Sequence, residues 1–288
     1  MDSIVNMILF KPPESFPYAF DEEVVRLKTD RGNRIGALHI QRPGATLTVL
    51  FSHGNAEDLT TSYGWIKKLS RSLNVNVMSY DYAGYGESTG TPNEKNCYAD
   101  IDAVYRYLVN NQDVAPEKIV LYGRSLGSGP SCYLAAKTSD GGRPVAGVIL
   151  HSPFTSVYRV VIDFGFSGWG DKFCNIDRAR KFRCPAFIIH GRDDTVVPFE
   201  HGPALYEALP KDYRANPFWV SNMGHNSPGF HIELVLFDRM KHFLNDCQMK
   251  RRSIEPQDIE PAVCEEQKMT FSSILDPCQV CAVVDGSR

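Results

Sequence analysis

Between an apolar run, Ile119-Val-Leu-Tyr122, and a stretch of small residues from Ser128 to Lys137, the chain reads Gly123-Arg-Ser-Leu-Gly127. The first run predicts a short buried strand and the second a helix, so strand must become helix within one sharp turn. A turn that tight lifts the Ser125 hydroxyl clear of the sheet edge. Glycines flank it because a Cβ at either position would collide with the neighbouring strand and helix. The first free N–H groups of the helix then face any anion that forms beside Ser125. Taken alone, G-x-S-x-G also fits a serine that caps a helix after a glycine turn, so the weight falls on the rest of the chain.

Glu22 to Lys28 and Arg34 to Ile40 alternate as strands do, and Asp30-Arg-Gly-Asn33 separates them as a turn; together they predict an antiparallel edge hairpin. Further strands are expected over Thr46 to Phe51, Val75 to Tyr80, Val145 to Leu150, Pro185 to His190 and Pro217 to Val220. Helices are expected through Trp65, Leu69 and Leu73, through Ile101, Val104, Tyr105 and Leu108, near Pro203 to Leu209, and through Ile232 to Phe243. Strands that alternate with helices imply an α/β fold, a mostly parallel central sheet with helices on both faces. Residues 152–183 break the pattern with Phe154, Tyr158, Phe164, Phe166, Trp169 and Phe173, and read as a short cap segment. One domain is expected over 1–249, with a polar, aperiodic, flexible tail over 250–288.

Sheets of this kind collect their chemistry at the carboxyl ends of strands. After the third strand comes Ser52-His-Gly-Asn-Ala56, a loop placed to offer a backbone N–H to an oxyanion. Asn55 is the first choice and Ala56 the second, with Leu126 as the partner donor after the nucleophile. His53 is expected to hold that loop. After His190-Gly191 two aspartates compete to orient a catalytic imidazole. Successive residues of an extended segment point opposite ways; Asp194 is chosen, and Asp193 is read as solvated or loop-capping. His225 follows the next strand in a glycine loop. The chain order Ser125, Asp194, His225 is that of α/β hydrolases. His201, His231 and His242 satisfy the order as well, but each falls on an expected helix and reads as a surface side chain. In the mechanism these residues imply, His225 takes the Ser125 proton, Ser125 attacks an acyl carbonyl, and water then releases the acyl-enzyme. No metal or cofactor is needed.

A formal net charge of −3 leaves no basic footprint for nucleic acid. No run is long and apolar enough to span a bilayer. The start, with Ile4 to Phe10 apolar, lacks a basic leader and a small-residue cleavage site, so a secretory signal is not expected. Eight cysteines, most within expected core elements, suit a reduced cytoplasmic protein. Cys278-x-x-Cys281 is a single pair in the tail with no second pair to complete a zinc site.

Leu50 to Leu59, Ser79-Tyr-Asp-Tyr-Ala-Gly-Tyr-Gly-Glu-Ser88, Leu121 to Gly129, Ile149-Leu-His-Ser-Pro-Phe154 and Gly224-His-Asn226 resemble the alpha/beta hydrolase domain-containing protein 17 family, among the Bem46-like serine hydrolases. The resemblance runs from about Phe10 to Asn245 and places Asp194 where the family has its acid. It implies the alpha/beta hydrolase fold and depalmitoylation: hydrolysis of a palmitoyl thioester on a protein cysteine, at the cytosolic face of plasma or endosomal membranes. Its substrates would be S-palmitoylated proteins, with small acyl esters as the alternative for a carboxylesterase or acylglycerol lipase. A binding protein that keeps the fold without turnover is the remaining reading. Family members begin with a palmitoylated cysteine cluster, whereas the first cysteine here is Cys97. The run from Met223 to Phe230 is also longer than the family's passage into the last helix. Peripheral membrane contact would then fall to Ile4 to Phe10, to Lys250-Arg-Arg252, or to acylated Cys278 and Cys281. The aromatics from Phe154 to Phe173 would line an acyl groove or simply pack the cap.

Overall fold

Strand residues point alternately to the two faces of a sheet, and here both faces are apolar. Val49, Phe51, Val77, Val120, Tyr122, Ile149, Phe187 and Ile189 enter one core cluster, while Leu50, Met78, Ile119, Leu121, Val148, Leu150 and Ile188 enter the other. Such strands stay buried only when helices cover both sides. The computed structural model describes residues 9–20, 23–161, 171–226 and 230–252. Its strands are β1 (Val24–Lys28), β2 (Arg34–Ile40), β3 (Thr48–Ser52), β4 (Asn76–Tyr80), β5 (Ile119–Arg124), β6 (Gly147–His151), β7 (Ala186–Gly191) and β8 (Phe218–Val220). They form one eight-stranded sheet in the order β1-β2-β4-β3-β5-β6-β7-β8. β1 and β2 are the antiparallel edge hairpin, β2 also runs antiparallel to β4, and the pairs from β4 through β8 are parallel.

The helices are α1 (Leu59–Leu73), α2 (Glu94–Asn110), α3 (Ser128–Asp140), α4 (Val157–Val161), α5 (Asn175–Ala179), α6 (His201–Ala208) and α7 (Phe230–Arg252). α1 starts on a capping box: the Asp58 side chain accepts from the Thr61 N–H, and the Thr61 hydroxyl accepts from the Asp58 N–H. Leu59, Ile66, Leu69 and Leu73 of α1 and Leu236, Met240, Phe243 and Leu244 of α7 cover one face of the sheet. Cys97, Ile101, Val104 and Leu108 of α2, Cys132, Leu134 and Ala135 of α3 and Leu205 of α6 cover the other. No helix among the described residues is long and apolar enough to cross a membrane.

The chain leaves β3 toward β4 on one side, then returns past β3 to lay down β5 on the other. The crevice between the carboxyl ends of β3 and β5 is therefore the switch point, where open α/β sheets bind ligands. Ser52 and Gly123 are register partners there, so the loop after β3 and the turn after β5 emerge side by side. Of the cap, residues 152–161, which include α4, and residues 171–183, which include α5, are described. Phe164, Phe166 and Trp169 lie outside the described residues, as do Ile4 to Ile8, Cys264, Cys278 and Cys281 and the tail beyond Arg252; the side chains of Lys250, Arg251 and Arg252 are likewise outside them.

Candidate active site

β5 ends at Arg124, and a 3-10 turn over Ser125–Gly127 leads directly into α3. Ser125 sits at φ +50°, the left-handed region, at a cost of about 1–2 kcal/mol for a residue with a Cβ. The glycines flanking it leave no room for a side chain. A Cβ on Gly123 would stand 2.3 Å from the Gly127 carbonyl oxygen, and one on Gly127 would stand 2.0 Å from that of Ser52. Local sterics thus force the chain to present the Ser125 hydroxyl above the sheet.

His225 Nε2 lies 2.9 Å from Ser125 Oγ, and its Nδ1 lies 2.8 Å from Asp194 Oδ2. A carboxylate can only accept, so Nδ1 carries the imidazole proton and Nε2 accepts from the serine. Asp194 Oδ1 accepts from the N–H groups of Val196 and Val197, at 2.9 and 2.8 Å. Burial alone would raise the Asp194 carboxyl. Hydrogen bonds from His190, His225 and the Val197 N–H outweigh it and hold the group well below the ordinary carboxylate range. The loop carrying Asp194 is tied to the one carrying His225. Arg192 donates its N–H to Val220 O at 2.8 Å and Asp193 to Met223 O at 3.2 Å.

Ser125, His225, Asn55, Ala56 and Leu126 line one cavity of about 540 Å3. Leu9, Phe154, Val157, Val160, Val196 and Val197 supply its apolar wall, and Lys11, Glu57, Arg124 and Asn226 its polar part. Of the cap aromatics, Phe154 reaches this cavity. Phe173 does not: it is fully buried against Gly129. Asp193 is exposed. His53 is fully buried, with Nδ1 2.8 Å from the Gly54 carbonyl, its ring 4.2 Å from that of Tyr82, and its ionisation suppressed by burial. It holds the loop, as expected. His231 and His242 are exposed on α7. His201 corrects the sequence reading. It is 8% exposed, and its Nδ1 lies 2.8 Å from Thr155 Oγ1, because α6 opens against the base of the cap rather than toward solvent. Among the described residues, no group of three or more His, Cys, Asp or Glu side chains is arranged to hold a metal ion.

Sequence reasoning missed several supports of this site. Arg124 pairs with Glu57 and donates to the Asn226 carbonyl at 3.3 Å. Glu57 in turn accepts from the Gly54 N–H at 2.8 Å. One guanidinium therefore links the elbow, the loop after β3 and the loop of His225. His190, fully buried beneath the acid, has Nε2 3.0 Å from Val197 O and 3.5 Å from Asp194 Oδ2. His151 lies buried at the end of β6, with Nδ1 2.9 Å from Tyr122 Oη. Burial, helped by the Arg124 guanidinium and the other two histidines, lowers its pKa to about 3 and keeps it neutral.

A family model described as the alpha/beta hydrolase fold matches residues 48–175. Alpha/beta hydrolase domain-containing protein 17C of Xenopus tropicalis is 41% identical over 225 residues, covering 77% of this chain and 70% of that protein. Protein 17B of the same species is 42% identical over 224 residues, covering 77% and 75%. Among solved structures, an esterase of Pyrococcus furiosus superposes with a TM-score of 0.66 at 19% identity, over 82% of this chain and 98% of that one, a likeness of fold. With the sheet order and these relatives in hand, the chain has the alpha/beta hydrolase fold and belongs to the alpha/beta hydrolase domain-containing protein 17 family.

Proposed function

We propose that the protein is a serine hydrolase that cleaves acyl thioesters and esters through Ser125, His225 and Asp194, with S-palmitoylated proteins as its substrates. The observation that carries this reading is the unbroken hydrogen-bonded chain from Asp194 through His225 to Ser125, opening on a cavity with a largely aliphatic wall. A cavity of about 540 Å3 is of the size that ordinarily takes a small ligand. In the proposed reaction His225 Nε2 accepts the Ser125 proton as Oγ bonds to the acyl carbon, a contribution of roughly 100- to 10,000-fold. The carbonyl oxygen becomes an oxyanion held by the Asn55 and Leu126 backbone N–H groups, each worth about 3–4 kcal/mol. Asp194, held ionised, stabilises the imidazolium. Collapse expels the thiolate, which has an intrinsic pKa near 8.5 and needs little help from an acid. Water, deprotonated by His225, then attacks the acyl-enzyme and frees the fatty acid.

The apolar wall favours an acyl chain over a polar substituent, and the family resemblance selects palmitate on protein cysteines. Such substrates would be met by peripheral contact with the cytosolic face of a membrane. A carboxylesterase or acylglycerol lipase using the same residues is the second reading; it is favoured by the neighbouring fold of an esterase. Labelling with a fluorophosphonate probe tests the shared chemistry: wild type is expected to label and Ser125→Ala to label not at all. Equal labelling of the two would discard both readings. Release of palmitate from an S-palmitoyl peptide, compared with hydrolysis of a short p-nitrophenyl ester, separates them. Preference for the short ester would replace the depalmitoylase reading by the second.

A further inference from the structure

The segment before β1 makes a two-point contact with the residue whose backbone is assigned to the oxyanion. Asn55 Nδ2 donates to the Leu9 carbonyl at 2.6 Å, and Asn55 Oδ1 accepts from the Lys11 N–H at 2.9 Å. The Tyr85 hydroxyl also donates to Oδ1, at 2.8 Å, so both lone pairs of that oxygen are engaged. The residue in between, Phe10, is 3% exposed and packs edge-on against Phe173 with ring centroids 6.3 Å apart. Phe173 rests on Gly129, in the first turn of the helix that follows the nucleophile. Further along, Ser15 Oγ donates to Gly86 O at 3.0 Å, and the Tyr18 N–H donates to Glu87 at 2.9 Å. Leu9 and Lys11 themselves line the cavity that holds Ser125 and His225.

From this we infer that residues 9–11 form a structural wall of the acyl cavity and that the Asn55 carboxamide is a positioning group, coupling this strap to the oxyanion N–H of the same residue. A misplacement of about 1 Å at a reacting centre costs on the order of a hundredfold in rate, so a loop braced by its own side chain gains in turnover what it loses in freedom. The wall also sets specificity. Leu9 is aliphatic and lines the cavity that holds Ser125 and His225, so the space left there limits the length or bulk of the acyl chain. The inference rests on the proposed reading of Ser125 and deepens it.

Three variants test it: Asn55→Asp, Phe10→Ala and Leu9→Trp. Asp keeps the acceptor for Lys11 and Tyr85 but turns a carboxylate oxygen toward the Leu9 carbonyl, which repels it. Asn55→Asp is expected to lower kcat on a short p-nitrophenyl ester by about tenfold to a hundredfold with KM little changed. Amide hydrogen exchange across residues 9–18 should quicken. Phe10→Ala, which removes the anchor, should reproduce both effects, and the double variant should lose no more than the worse single. Leu9→Trp should shift the chain-length profile, lowering long-chain turnover about tenfold more than short-ester turnover. Wild-type kcat and unchanged exchange in Asn55→Asp, additive losses in the double variant, or an unaltered chain-length profile in Leu9→Trp would each overturn the inference. Turnover that persists in Ser125→Ala would overturn the proposed reading of Ser125 as nucleophile instead; exchange reports strap docking with or without turnover, so the two failures are told apart.

Discussion

Asp193 and Asp194 are chemically identical neighbours, yet one is exposed and the other receives hydrogen bonds from two backbone N–H groups and an imidazole. The sequence narrows the choice because consecutive extended residues face opposite ways, and the backbone donors of Val196 and Val197 complete it. Asp194→Asn is expected to lower kcat by about 10,000-fold, since an amide no longer selects the tautomer that leaves Nε2 free to accept. Asp193→Asn should stay within about twofold of wild type, an effect no larger than an exposed charge commonly has. Steady-state rates on one ester read both; equal losses would show the acid misassigned. Arg124 marks the limit of reading at this scale. Its place in the motif is plain, but its partner Glu57 is 67 positions away, in a different loop. Nothing local in the chain announces that pairing.

Elements were legible where periodicity and packing agree. The strand-to-helix turn around Ser125, the edge hairpin and α2 all fall where apolar spacing puts them. The cap did not yield to the same reasoning, because its aromatics follow neither period and their orientation depends on what they meet. Phe173 turned inward onto Gly129, while Phe154 reached the cavity. Two helical glycines separate propensity from packing. A Cβ on Gly64, on the exposed side of α1, would meet nothing within 4 Å. One on Gly129 would stand 2.3 Å from Phe173 Cδ1. Gly64→Ala is therefore expected to stabilise by about 0.5–1 kcal/mol through helix propensity. Gly129→Ala should destabilise by about 1–3 kcal/mol as Phe173 is displaced. Urea unfolding midpoints measure both, and effects of the same sign would refute the assigned Phe173 contact.

At the scale of the whole molecule, two buried carboxyls give the fold a pH dependence of definite sign. Burial raises Asp81 and Asp100 to about 7, although the Tyr18 hydroxyl and Leu59 N–H oppose it at Asp81 and the Ala83 N–H at Asp100. Between about pH 4 and pH 7 the folded chain therefore keeps protons that the unfolded chain has released. Their contribution to stability falls as pH rises through that window and levels off above it. The buried His151, lowered to about 3, acts in the opposite sense, losing stability as pH falls below its unfolded value. Asp100→Asn isolates the first effect, because an amide oxygen can still accept from Ala83 at 2.8 Å and does not titrate. The stability of wild type relative to this variant should be greater near pH 5 than near pH 8. Thermal unfolding at the two pH values measures it, and a constant difference would show that Asp100 titrates normally.

Chain order and short-range pattern were enough to specify the layered α/β architecture, the elbow at Ser125 and the strand ends that carry Asn55, Asp194 and His225. These depend on side-chain alternation and turn sterics, which act over a few residues. Which side chains brace those ends was decided only in three dimensions: Asn55 on Leu9 and Lys11, Arg124 on Glu57, His201 inside the cap base. Such contacts join segments tens of residues apart, and the energy that selects them exists only once the sheet has brought the segments together.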